Sequence, residues 1–165
     1  MPDYDCTNDV IEHKTKVGYW LRRFAQRLER RAATHDDSKI NDPIEKAMFD
    51  RWTPEIRNTT FGTDEYKQAL DGMGEGVKRH YQANRHHPEH YENGVNGMTL
   101  IDVMEMLTDW MAVAQSKNTR VDLKHAAERF GLSDQLVRIM INTLREEDAW
   151  NKQDNIPIGS LGPEE

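Results

Sequence analysis

An all-α chain is what the sequence predicts: a single compact helical domain of about six to eight helices over residues 8–150, then a flexible tail over 151–165. Three observations carry this expectation. Apolar residues recur at three- and four-residue spacing through long segments. Helix-start signatures punctuate the chain. No segment shows sustained period-two alternation, so no sheet is expected, and no internal repeat is visible.

Taken in order, Ile11 to Arg31 places Val17, Trp20, Leu21, Phe24 and Leu28 at helical spacing, with Arg22, Arg23, Arg27, Arg30 and Arg31 among the other positions. Thr34 opens Thr-His-Asp-Asp, a capping box with Asp37 three residues on, which predicts a short helix start. Asp42-Pro43 predicts an N-cap with Pro at the first helical position and a helix to about Arg51. Thr53-Pro54-Glu55 repeats that signal, and Asn58 to Gly62 reads as a loop.

Asp64 to Asn84 predicts a longer helix holding Gly72, Gly74 and Gly76, which fit a kink or a close helix contact. A phosphate-cradling loop is excluded, because no Gly-Lys-Ser/Thr follows. His86 to Gly97 reads as a loop. Thr99 starts a helix to about Ser116, with Leu100, Val103, Met104, Leu107, Trp110 and Met111 on its apolar side. Asp122 to Phe130 and Ser133 to Trp150 make a final pair broken at Gly131.

Composition narrows the function classes. Twenty-two Lys and Arg stand against 29 Asp and Glu, a formal charge of −7 that opposes a general nucleic-acid coat or a polybasic membrane binder. The single cysteine, Cys6, excludes an intramolecular disulfide and a multi-cysteine zinc site. No apolar run approaches the ~20 residues that span a bilayer, and the acidic N-terminus does not read as a signal peptide. The expectation is a cytoplasmic protein in a reducing compartment, with no membrane partner.

The seven histidines carry the functional signal. His13 lies on the first helix, His35 precedes Asp36 at a helix start, His80 ends the long glycine-bearing helix, and His86, His87 and His90 cluster. Imidazole suits Fe, Zn, Ni or Cu, and carboxylates also suit Mn and Mg. A carboxylate has two oxygens and can bridge two ions, the arrangement that favours phosphoester hydrolysis. On the helix after Thr99, Asp102, Glu105 and Asp109 share one face. Asp102 is explained by a Thr99-x-x-Asp102 capping box. Asp109 sits deep in the helix beside Leu107, Trp110 and Met111, where a carboxylate needs a partner such as a metal ion.

The order His13, His35-Asp36, His80, His86-His87, Asp109 resembles the HD-domain superfamily of metal-dependent phosphohydrolases. His35-Asp36-Asp37-Ser38-Lys39 looks like that family's His-Asp-x-Gly-Lys helix start, with Ser38 in place of Gly. His86-His87-Pro88-Glu89, followed by Thr99 to Asp109, is similar to the HD-GYP branch. The strings His80-Tyr81, Asn84 to Tyr91, Met98 to Leu100, Glu105-Met106 and Asp109-Trp110 also resemble a family of small proteins of tailed phages and bacteria with no assigned activity.

The HD resemblance implies a helical domain of HD type holding one or two divalent ions, of Fe, Mn, Zn, Ni, Co or Mg. It implies His13, His35, Asp36 and Asp109 around a first ion, and His80 with His86 or His87 around a second, Asp36 bridging. Lys39 would meet a phosphate oxygen, and Arg79 and Arg85 would neutralise further phosphate charge. Asp36 and Lys39 are then the candidate catalytic residues. Glu89, His90 and Glu105 are candidate partners that orient the imidazoles, and His125 lies outside the pattern. The implied partner is a small phosphorylated substrate such as a nucleotide.

Three other readings stand beside the phosphohydrolase. The same ligand set would serve a di-iron oxygenase of the HD fold. Residues 122–141 fit a helix-turn-helix outline, with Gln135, Arg138 and Asn142 on the second helix. The acidic Glu146-Glu147-Asp148 that follows and the net charge oppose phosphate contact there, so nucleic acid is the weaker expectation. A structural or partner-binding phage protein is the third.

Overall fold

In the computed structural model, residues 4–60 and 62–153 are described, and every regular element among them is helical. Seven α-helices and two 3₁₀ turns make up these residues. No helix among them is long and apolar enough to cross a membrane.

The chain divides into two compact units, Met1–His35 and Asp36–Glu165. The first unit is α1 (Thr7–Thr34), a long helix with no buried residue of its own. Its apolar positions, including Val17, Trp20, Leu21 and Phe24, are exposed. It runs beyond the expected end at Arg31, as far as Thr34. The Thr34 hydroxyl donates back to the Arg30 carbonyl at 3.0 Å and caps no following helix. The chain turns at His35, with ψ 125°, and at Asp36, with φ 59°.

The second unit opens with α2 (Ser38–Asn41) and α3 (Pro43–Arg57). Asp42 caps α3 as the sequence predicts, accepting from Ile44 N and Glu45 N. The helix does not stop near Arg51, however, and Pro54 lies inside it. A proline forfeits one backbone hydrogen bond. Here Trp52, two residues before Pro54, packs on the next helix at Gly72.

That helix is α4 (Asp64–Ala83), capped by Thr63. Its three glycines provide both the kink and the close contact. Gly74 has φ 50° and ψ −120°, which breaks the helical path. A Cβ on Gly72 would come within 2.4 Å of the Trp52 ring, and one on Gly76 within 2.7 Å of Met48. Small residues on α4 thus let α3 approach closely.

Two 3₁₀ turns, Pro88–His90 and Gly94–Gly97, lead to α5 (Leu100–Ser116), which has the predicted Thr99–Asp102 capping box. Then come α6 (Leu123–Phe130) and α7 (Asp134–Gln153), separated at Gly131 in the left-handed conformation. The core gathers Met106, Leu107 and Ala114 of α5, Leu123 and Ala126 of α6, and Met140 and Leu144 of α7. Each Met or Leu side chain contributes roughly 1.5–3 kcal/mol on burial. The segment read as a helix-turn-helix outline therefore supplies core. The predicted tail, 151–165, begins inside α7, and its residues 154–165 lie outside the described residues.

Candidate metal centre

The site is assembled from four places in the second unit: the turn before α2, the first turn of α3, the end of α4 with the loop behind it, and α5. Asp36 adopts a left-handed φ of 59°, which short polar residues tolerate better than others. Its Oδ2 pairs with Lys39 Nζ, one turn along. Its Oδ1 lies 3.5 Å from His80 Nε2 and 3.6 Å from His86 Nε2.

His80 is buried in the last turn of α4. Asn84 closes that turn: its backbone N–H and its side-chain amide both donate to the His80 carbonyl. The chain then bends so sharply that His86 and His87 turn back on His80. The His87 N–H donates to Asn84 O at 3.3 Å, and buried Pro88 begins the next 3₁₀ turn. His87 Nε2 reaches within 2.8 Å of His80 Nε2.

Asp36, His80, His86 and His87 each offer one donor atom, and these atoms all lie within 4.8 Å of one another. The far nitrogens of two of the rings face carboxylates. His80 Nδ1 lies 3.2 Å from Glu45 Oε2, and His86 Nδ1 lies 3.4 Å from Glu105 Oε1. Glu45 also accepts a 2.7 Å hydrogen bond from Ser38 Oγ, which in turn accepts from the Asn84 amide.

Burial favours the neutral imidazole at His80 and His87. His80 is pushed below its ordinary value by burial and by the nearby Lys39 charge, against opposing pulls from Asp36 and Glu45. His87 is lowered much further by burial, and then by His86, His80, Lys39 and Arg129. Neutral imidazole is the form that ligates a metal.

The residues fit a divalent ion. Donors at ~2.0–2.2 Å from one ion stand about 3–3.5 Å apart; three of the six pairs here stand 2.8, 3.5 and 3.6 Å apart, and all lie within 4.8 Å. Three imidazoles with one carboxylate suit the borderline ions Zn, Fe, Ni, Co and Mn. Carboxylates on the remote ring nitrogens are the feature that fixes metal-binding imidazoles in orientation and tautomer.

The other residues singled out from sequence have surroundings of their own. His13 is exposed on α1, and His35 ends the first unit half-buried. Asp109 is half-buried on α5, one helical turn beyond Glu105, and its charge acts on Tyr66. That extra turn carries Asp109 away from the group, so Glu105 is the α5 carboxylate on His86. Glu89 pairs with Arg129 and not with an imidazole of the group. His90 faces the Tyr81 carbonyl through Nδ1 at 3.2 Å. Arg79 is engaged by Asp42, and Arg85 forms two 3.1 Å hydrogen bonds to buried Asp102. His125 sits over Gly62.

Sequence reasoning missed Glu45. It occupies the first turn of a capped helix, where an acidic residue is favoured by the helix dipole alone. Only its burial, at 1% exposure, marks it as different.

The sequence profile of a family described as a family of unknown function (DUF5662) matches residues 2–146. No curated protein and no solved structure matches the chain.

Proposed function

The chain belongs to the DUF5662 family, and from that premise we propose that it is a metal-dependent phosphohydrolase acting on a nucleotide or a related small phosphate ester. The observation that carries this reading is the convergence of Asp36, His80, His86 and His87 within 4.8 Å, with Glu45 and Glu105 behind two of the rings. The ligand-order resemblance to HD-domain enzymes supplies the reaction class.

His80, His86, His87 and Asp36 would hold the ion. A divalent ion bound there supplies Lewis-acid charge and lowers the pKa of water near it, the chemistry phosphoester hydrolysis needs. The protein's own groups do the rest. Glu45 and Glu105 hold His80 and His86 with Nε2 facing inward. Lys39 stands on Asp36 at the edge of the group, a half-buried cation suited to a phosphate oxygen. The sequence resemblance adds His13 and His35 as further ligands that would admit a second ion.

Elemental mass spectrometry on the purified chain and on Asp36→Ala tests the centre, alongside hydrolysis of p-nitrophenyl phosphate and a nucleotide panel. The expected result is one or two equivalents of Fe, Mn, Zn, Ni or Co, lost in Asp36→Ala, with hydrolysis lost on chelation and in the variant. A chain that takes up no metal after reconstitution with each of these ions and Mg, or full hydrolysis by Asp36→Ala, would overturn it.

A further inference from the structure

One cation, in contact with a neighbour of His87, has no role in the reading above. Arg129, on α6, donates through Nη2 to Glu89 Oε1 at 2.9 Å and to the Tyr81 hydroxyl at 3.4 Å. Its guanidinium also lies over the Phe130 ring, 4.7 Å from the centroid. Tyr81 in turn packs against His87, with ring centroids 4.8 Å apart. A chain of direct contacts therefore links Arg129 to the metal group.

The pairing of Arg129 with Glu89 is only partly shielded from water. The two side chains are 27% and 32% exposed. A part-exposed carboxylate thus sits on a guanidinium that also touches Tyr81 and Phe130. A guanidinium fork matches phosphate as well as it matches carboxylate.

We propose that Arg129 is the anion anchor of the centre and that Glu89 is the carboxylate a substrate phosphate displaces. This rests on the phosphohydrolase reading and narrows its substrate class to phosphate monoesters. A monoester phosphate carries close to two negative charges near neutral pH. It outbids the single charge of Glu89. A diester carries one charge and only matches the group it must replace.

Equilibrium dialysis with inorganic phosphate and with dimethyl phosphate tests this on reconstituted protein, with metal content measured on each sample. Inorganic phosphate should bind more tightly than dimethyl phosphate, by about tenfold or more, the worth of a charge-assisted hydrogen bond. Arg129→Met should lose that advantage with its metal content unchanged. Glu89→Gln should bind phosphate more tightly than wild type, because the competing charge is gone. Opposite signs in the two variants are what a purely structural ion pair would not produce. Should Arg129→Met lose helical content by circular dichroism, Arg129→Lys, which keeps the charge but not the fork, takes its place beside Glu89→Gln. Phosphate binding unchanged in the Arg129 variant, or weakened in Glu89→Gln, would overturn the inference while leaving a metal-loaded centre intact. Absence of metal in every sample would instead overturn the phosphohydrolase reading.

Discussion

His80 Nδ1 lies 3.2 Å from Glu45 Oε2, and both side chains are almost wholly buried, at 3% and 2% exposure. A carboxylate accepts and does not donate, so the pair places the imidazole proton on Nδ1. The Asn84 amide, which also approaches Nδ1 at 3.0 Å, has Ser38 Oγ and the His80 carbonyl as acceptors. His80 Nε2 is left to present its lone pair toward Asp36 and His87.

Glu45→Gln removes the charge but keeps the shape. It touches no donor atom of the group. Metal affinity should nonetheless fall by about 10–100-fold, the usual effect of losing such an orienting carboxylate. A metal-indicator competition titration measures this. An unchanged affinity would mean that Glu45 serves only the packing of α3 on α4.

Glu105 and Asp109 separate two versions of the site. The structure sets Glu105 on His86 and Asp109 a turn away, near Tyr66. Asp109→Asn should retain the bound metal, and Glu105→Gln should weaken it by about tenfold or more. The reverse result, measured by elemental analysis after dialysis, would restore the ligand set that the HD resemblance implies.

Asp102 supports the site without entering it. Its carboxylate is buried, caps α5 through Thr99, and takes both hydrogen bonds from Arg85, the residue before His86. Burial alone would raise its pKa, but hydrogen bonds from Arg85, Thr99 and Tyr91 outweigh that and hold it below the ordinary 3.8. A carboxyl depressed in the folded state stabilises the fold above the unfolded value. That stability drains as pH falls below about 4. Asp102→Asn should therefore cost about 2–3 kcal/mol at neutral pH. Its urea midpoint should also change less than that of wild type on acidification below pH ~4. Equal acid sensitivity in the two proteins would remove Asp102 as the source.

Gly72 tests the packing that brings α3, and with it Glu45, against α4. A Cβ there would meet the Trp52 ring at 2.4 Å. Gly72→Ala should destabilise by about 1–3 kcal/mol through overpacking, although alanine is the better helix former by about 1 kcal/mol. Adding Trp52→Leu should recover part of the loss in chemical unfolding. No recovery would show that the strain lies in the backbone.

The helices were legible in the sequence because their signals are local. Asp42-Pro43 and Thr99-x-x-Asp102 act on backbone groups within one turn, and both cap as read. Gly131 ends α6 through its own φ of 65°. Where a local signal failed, a longer-range contact or a competing bond decided the outcome. α3 carries Pro54 inside it beside the Trp52 contact, and Thr34 turned back on its own helix.

The sequence by itself determined which chemistry was on offer: imidazoles at 80, 86 and 87, a carboxylate at 36, and a lysine one turn beyond it. Only the tertiary structure decided their company. The bend after Asn84 put both His86 and His87 beside His80, where spacing alone left the choice open. Packing of α3 on α4 brought Glu45 to His80 across 35 residues of chain. A helical face also spans several turns, so spacing could place Glu105 and Asp109 on one side of α5 without saying which turn meets His86. The physical reason is the same in each case. Capping and periodicity follow from neighbours along the chain, whereas a buried carboxylate finds its partner only when two helices close on each other and remove the water between them.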